Sequence, residues 1–314
     1  MENLPTTRQL QYLLALAEHR SFHAAASACH VTQSTLSGGI KDMEDILQSP
    51  VIDRTNRRNL RLTPLGEEIL GAARKMITRL EDIAYRARRA GAPLSWPLRM
   101  GIIPTIAPYV LPKILKPLQE KLPSLELYVH ELRSHQLVEK VHDGSLDFGL
   151  MAFPYDTKGL AEHVVMEEEF YCAAAPGYLR GEGDLNLKDL RAEKLLLLED
   201  GHCMRDHALD ACRLEPVKEL KTLSAASLST LIQLVHTGYG ITLLPAMVAN
   251  DNPMLPEGLD LRRFSAPAPT RKIGFARKKK GLREADIFLV FEELEFLMKI
   301  NTLDLQIKKT IMKK

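Results

Sequence analysis

A long amphipathic run near the N-terminus limits what this chain can fold into more than any other feature. Thr63-Pro64 offers an N-cap with proline at the first helical position, and the helical pattern it opens continues to about Ala90. Within it Ile69, Ala73, Met76, Leu80, Ile83 and Ala87 step by 4, 3, 4, 3 and 4, the seam of a coiled coil. A core helix can show the same stripe. A length of about 27 residues and a basic remainder of Arg74, Lys75, Arg79, Arg86, Arg88 and Arg89 favour instead an exposed helix that pairs with a second copy. Gly91-Ala-Pro-Leu-Ser-Trp-Pro97 reads as the hinge that follows.

The residues before that helix read as a helix-turn-helix. Leu10, Leu13, Leu14 and Ala17 recur at helical spacing between Arg8 and Arg20, and Ser21 caps a short helix containing Ala24, Ala25 and Ala26. After a turn at Cys29-His-Val31, Thr32 caps a third helix whose inward stripe is Leu36, Ile40, Met43 and Leu47. Its other face, Gln33, Ser34, Thr35, Ser37, Gly38 and Lys41, is either a solvated surface or a set of short polar groups suited to a major groove. The small residues packing the preceding helix favour the groove. Val51 to Thr63 alternates apolar and basic positions around a turn, as a β-hairpin wing does, with Arg54, Arg57, Arg58 and Arg61 placed for phosphates. Net charge adds little: residues 1–97 carry +3 and the remainder −1.

Beyond the hinge, strand and helix alternate. Leu98–Ile103, Leu125–His130 and Leu146–Ala152 are strand-like, with helices over Ala107–Leu122 and Ser134–His142, the βαβαβ start of a parallel sheet. Strands near Phe170–Ala175, Lys194–Leu198 and Gly240–Leu244 and a helix over Ser227–Val235 form a second unit. Ile273–Arg277 and a helix from about Leu282 to Lys299 return to the first. In such sheets ligands bind beyond the carboxyl ends of strands, which points to Ile103-Pro-Thr105 and Ser134-His135. The start of the chain has neither an apolar signal core nor a cleavage site, and no stretch reaches the roughly 18 apolar residues of a membrane span, so a cytoplasmic protein without a membrane partner is expected.

Arg8-Gln-Leu-Gln-Tyr-Leu, Ala24-Ala-Ala, Val31-Thr-Gln-Ser-Thr-Leu-Ser37, Ile40, Glu44, Arg54-Thr and Thr63-Pro-Leu-Gly66 together resemble the N-terminal module of LysR-type transcriptional regulators. The resemblance implies an α/β architecture in five parts. These are a winged helix-turn-helix over 1–63, a linker and dimerisation helix over 64–90, a hinge over 91–97, a two-lobed regulatory domain like the periplasmic binding proteins over 98–300, and a tail over 301–314 that is either a surface helix or disordered. Two departures stand out. Gln48-Ser-Pro50 replaces a glycine and two apolar residues, and Gly39 replaces a longer polar side chain, removing a base contact.

Four cysteines, Cys29, Cys172, Cys203 and Cys212, in a reducing compartment are not expected to form structural disulfides, so any bridge among them is transient and regulatory. Cys203 follows the apolar run Leu195–Leu198 and is crowded by His202, Arg205 and Asp206, a setting that lowers a thiol's pKa and makes it reactive. His202, Cys203, His207 and Cys212 also supply zinc-type donors. Their spacing lacks the usual pairs, so neither metal nor cofactor is expected. Leu198-Glu-Asp-Gly-His-Cys-Met-Arg-Asp-His-Ala-Leu209 with Cys212 is similar to the redox segment of the peroxide-sensing branch of the LysR family, and so are Gly101–Pro112, Ser134–Leu137 and Gly240–Pro245.

That likeness implies that Cys203 is peroxidatic and Cys212 resolving, with Thr105, Ser134, His135, His202, Arg205 and Asp206 around the peroxide. Ser134 stands for a more usual threonine. The implied partners are double-stranded promoter DNA, hydrogen peroxide, further copies in a homodimer or homotetramer, RNA polymerase, and a glutaredoxin- or thioredoxin-type reductant. Two other functions compete. A regulator of this family can take a small organic anion between its lobes, where Arg133, Arg205 and the helix near Ser227 would serve it, and a thiol peroxidase needs no DNA-reading module.

Overall fold

The computed structural model describes the chain except residues 1–3, 54–59, 89–92, 180, 182, 193, 202, 213–223, 253, 282 and 313–314. Two compact units divide it, one built from residues 1–92 and the other from the remainder of the chain apart from the 143–145 turn.

In the first unit α1 (Thr7–His19), α2 (Phe22–Ala28) and α3 (Gln33–Leu47) pack together, followed by the antiparallel pair β1 (Ile52–Asp53) and β2 (Arg61–Leu62) and by α4 (Pro64–Arg88). Side chains supply the helix starts: Thr6 and Gln9 cap α1 reciprocally, Ser21 accepts from Ala24 N–H, and Thr32 accepts from Thr35 N–H. Leu13, Leu16, Leu36, Ile40 and Met43 are fully buried, whereas Leu14 and Ala17, expected inside, are half-buried and Tyr12 takes their place. Gly39, half-buried, faces α1. A β-carbon there would stand 2.8 Å from the Tyr12 ring, so α1 and α3 meet because position 39 has no side chain. Gln48 ends α3 in the left-handed region at φ 50°, a conformation that suits glycine.

The wing and α4 are joined by one short motif. Thr63 Oγ1 donates to Pro50 O at 2.9 Å and accepts from Gly66 N–H at 3.0 Å. A β-carbon on Gly66 would fall 2.2 Å from Val51 O, which explains the glycine of Thr63-Pro-Leu-Gly66. Glu44 completes the joint by accepting from Val51 N–H and Ile52 N–H at 2.9 and 3.2 Å. Along α4, Leu70 and Ala73 are buried in the unit, while Met76, Leu80 and Ile83 of the expected seam are exposed.

The second unit has two lobes. In the first, β3 (Leu98–Ile102) lies between β4 (Leu127–Glu131) and β5 (Phe148–Phe153), parallel to both, with α5 (Ala107–Lys121) and α6 (Ser134–Asp143) as crossovers. The long β6 (Ala161–Ala174) joins the lobes. Its first part pairs with β11 (Thr270–Arg277), which also pairs with β5, and its end pairs with β9 (Thr242–Pro245) and β10 (Asp260–Arg262) of the second lobe. There β7 (Leu197–Leu198) and β8 (Ser224–Ala225) run parallel, with α7 (Cys203–Cys212) and α8 (Leu228–His236) packed against them and α9 (Ala246–Asp251) against β6 and β9. Each lobe has its own apolar core. The last helix, α10 (Glu284–Met312), extends past the Lys299 end expected for it and takes in most of the tail.

The expected hinge is partly anchored. Leu94 is buried, its N–H donates to Asp286 Oδ1 at 3.3 Å, and Arg283 Nη1 donates to Pro97 O at 3.2 Å and to Asp147 Oδ1 at 3.1 Å. The start of α10 thus holds Leu94–Pro97 against the regulatory unit. Residues 91 and 92 of that expectation lie outside the described residues. Among the described residues no helix is long and apolar enough to cross a membrane.

Candidate functional site

The residues singled out in the sequence fall in two places, one exposed and one buried. On α3, Thr32, Gln33, Ser34, Thr35, Ser37 and Lys41 are all exposed. The first of them is occupied locally: Thr32 Oγ1 lies 2.9 Å from Ser34 Oγ and 2.8 Å from Thr35 Oγ1, so these three hydroxyls set the helix start and their oxygens bond to one another. Gln33, Ser37 and Lys41 line the rest of the face. Arg61 is exposed on β2 opposite Asp53; Arg54, Arg57 and Arg58 lie outside the described residues.

The second place is buried at the junction of the two lobes. Cys203 opens α7 at 2 % exposure and packs into the first lobe's core, while Met204 and Ala208 of the same helix pack into the second lobe's. One turn on, His207 Nε2 lies 2.6 Å from Pro154 O just beyond β5. A single short helix therefore belongs to both lobes. Gly201, at φ 92°, makes the turn before it, in a conformation that side chains resist.

Thr105, past the end of β3, and Ser134, at the first turn of α6, are both buried, and Ser134 lies against the thiol. The Ser134 hydroxyl makes no well-formed hydrogen bond. The cation here is one that reading the segment around Cys203 does not find. Arg271 on β11 is buried, donates from Nη1 to Thr105 Oγ1 at 3.2 Å, and pairs with Glu168 on β6 at 2.7 Å. These two stand directly opposite each other across the strands. The signal for them lies in alternation: in Glu167-Glu-Glu169 and Thr270-Arg-Lys272 the middle residue faces inward and the outer ones outward.

Burial dominates the electrostatics of the thiol. It pushes the Cys203 pKa above the ordinary cysteine value, against the pull of the Ser134 hydroxyl, the Arg271 charge and a backbone contact at Ala152; Asp206 pushes it further up. This differs from the expected lowering by neighbours in sequence. Arg205 pairs with Asp200, and both Asp206 and His135 are exposed. His135 lies over Gly201, where an added β-carbon would approach its Nδ1 to 3.4 Å. His202 and the Cys212 side chain are outside the described residues. The groups proposed for an organic anion are engaged locally: Arg133 pairs with Glu199 at 3.5 Å, and Ser227 caps α8.

Family comparison agrees with this architecture in both units. Residues 7–67 match the bacterial regulatory helix-turn-helix of the lysR family, and residues 92–295 match the LysR substrate binding domain. The chain belongs to the LysR family of DNA-binding transcriptional regulators. It is 38% identical over 296 residues to the HTH-type transcriptional regulator EstR of Acinetobacter baylyi, covering 94% of this chain and 98% of that one. To the DNA-binding transcriptional dual regulator OxyR of Escherichia coli it is 38% identical over 268 residues, covering 85% and 87%. Among solved structures, a full-length cysteine-to-aspartate variant of OxyR from Pseudomonas aeruginosa superposes with a TM-score of 0.73 at 31% identity, over 92% of this chain and 94% of that one. A cysteine-to-serine mutant of Corynebacterium glutamicum OxyR with hydrogen peroxide bound gives 0.64 at 31% identity, over 98% and 99%.

Proposed function

We propose that this regulator senses hydrogen peroxide through Cys203 and reports it to promoter DNA. The observation that carries the reading is the placement of a buried thiol against the Ser134 hydroxyl, with the Thr105–Arg271 pair acting on the same pocket and α7 shared between lobes. Relatives named hydrogen peroxide-inducible genes activator, from Pectobacterium carotovorum and Escherichia coli, and a neighbouring structure with peroxide bound support it. Thr105 and Ser134 hold the peroxide. The thiolate sulfur of Cys203 attacks one oxygen, an S–O bond forms as the O–O bond breaks, and hydroxide leaves toward Arg271 and takes up a proton. The product is a sulfenic acid, which the Cys212 thiol converts to a disulfide with release of water. A dithiol reductant of the thioredoxin or glutaredoxin type reverses the step.

The switch follows from helix geometry. Cys203 and Cys212 are the two ends of α7, so nine helical steps separate their Cα atoms by about 13.5 Å, whereas a disulfide requires them within about 7 Å. Oxidation must unwind α7, and an unwound α7 leaves both lobe cores at once. In this reading residues 1–63 contact DNA through Gln33, Ser34, Thr35, Ser37, Lys41 and the wing arginines, 64–90 pair two copies through the exposed Met76, Leu80 and Ile83, and 98–300 sense. The protein works in the cytoplasm as a dimer or tetramer beside RNA polymerase. One experiment tests the core of this. Protein treated with stoichiometric peroxide is digested without reductant, and mass spectrometry yields a Cys203–Cys212 linked peptide with the loss of two thiols per chain. Full retention of both thiols would overturn the reading.

A further inference from the structure

The buried arginine beside the thiol is shared. Arg271 places Nε and Nη2 both 2.7 Å from Glu168 Oε1, and Nη1 on Thr105 Oγ1. Glu168 is itself held from the other side, where Oε2 accepts from Met247 N–H at 3.0 Å at the start of α9. The carboxylate therefore has no freedom to turn away from the guanidinium, and the guanidinium none to turn wholly toward Cys203. A buried cation beside a fixed carboxylate acts on a more distant group as a dipole, far more weakly than a net charge would.

We infer that Glu168 is a positioning residue of the thiol pocket, which holds Arg271 between itself and Thr105 and so limits how strongly the guanidinium attracts a thiolate at Cys203. Other groups near the thiol act from different positions, and among them Asp206 raises its pKa. Asp206 and Arg205 on α7 are respectively exposed and paired with Asp200, His207 faces Pro154 O, Tyr155 and Asp156 follow β5, and His135 on α6 is exposed. The direction found for the thiol agrees, since the pull of Arg271 does not overcome burial. Because Glu168 also binds the backbone of α9, the aim of Arg271 depends on the second lobe's position.

The inference rests on Cys203 being the reactive thiol, and its test uses no peroxide. Thiolate absorbance of the full chain is titrated with pH, each protein compared with its Cys203→Ser counterpart so that only Cys203 contributes. With Glu168→Gln, which keeps the shape and removes the charge, the midpoint falls by about one pH unit, a roughly tenfold rise in thiolate fraction below it. With Glu168→Gln and Arg271→Gln together it rises above wild type, because the net charge has gone. A general loosening of the pocket would move both variants the same way, and that result, or an unchanged or raised midpoint in the single variant, overturns the inference. Trp96 fluorescence reports folding. If the glutamine variant does not fold, Glu168→Asp carries the test: its carboxylate is drawn back by one methylene, and the midpoint must fall, by less. Wild-type protein whose Cys203 resisted peroxide would remove the sensor reading while leaving this titration able to judge Glu168.

Discussion

The DNA-reading unit and the thiol pocket are built over different reaches of sequence. The contact from Thr63 to Pro50 that fixes the wing spans 13 residues, and the one from Glu44 to Val51 spans 7. Arg271 reaches back 166 residues to Thr105 and 103 to Glu168. Short contacts make the first unit tolerant of change elsewhere, since each cap is complete within its own turn. The pocket draws on both lobes, so disturbing any of its elements disturbs the rest, which is what a switch needs.

The largest expected effect breaks the pocket side of this contrast. Arg271→Ala leaves Glu168 as an unpaired buried charge, and the regulatory unit should lose about 3–5 kcal/mol. Trp96, the single tryptophan, lies in that unit and reports its urea transition. The helices of the first unit should melt as in wild type. A common loss in both units would show that the contrast is wrong. Next comes the wing joint. Gly66→Ala drives a β-carbon to 2.2 Å from a backbone oxygen, where no side chain can yield, and should cost about 2–3 kcal/mol of local stability. DNA binding falls while the Trp96 transition stays put. Wild-type affinity for DNA would count against the joint.

These reaches also explain what the sequence revealed. The helix starts at Ser21, Thr32 and Pro64 were legible because a cap is a local event, and the strand-helix alternation after Leu98 because period and length suffice for it. Thr105 and Ser134 were legible as positions beyond strand ends. Arg271 and Glu168 were not, because only the pairing of β6 with β11 brings them together, and register cannot be read from two separate strands. The packing role of Gly39 was not legible for a related reason: the contact lies on α1, and helical spacing alone does not say which face Tyr12 covers.

A third expectation concerns pH. Since burial raises the Cys203 pKa, the thiolate is the minor form at neutral pH and its fraction grows about tenfold per pH unit until the midpoint is reached. Trapping of the sulfenic acid in Cys212→Ser protein, timed at a fixed low peroxide concentration, should rise with that slope between about pH 6 and 8. A flat profile would mean a thiolate already formed in the resting protein, and the pocket would then owe more to Arg271 than to burial.

The smallest effect tests whether the first unit is as locally determined as its contacts suggest. Gln48 holds the left-handed position after α3 at φ 50° with its N–H on the carbonyls of Glu44 and Asp45. A left-handed non-glycine residue costs roughly 1–2 kcal/mol, and part of that returns to glycine as greater chain freedom in the unfolded state. Gln48→Gly should therefore stabilise the end of α3 by about 0.5–1 kcal/mol. Hydrogen exchange in full-length protein reads this directly, as a two- to fivefold slowing of the last α3 amides. Exchange in α6 and α7 should not change, since the backbone bonds of Gln48 close within its own helix end. Slowing that spread to α7 would mean that the DNA-reading unit is coupled to the thiol pocket even at rest, and faster exchange in α3 would mean that the Gln48 side chain holds the wing by a contact worth more than the strain it relieves.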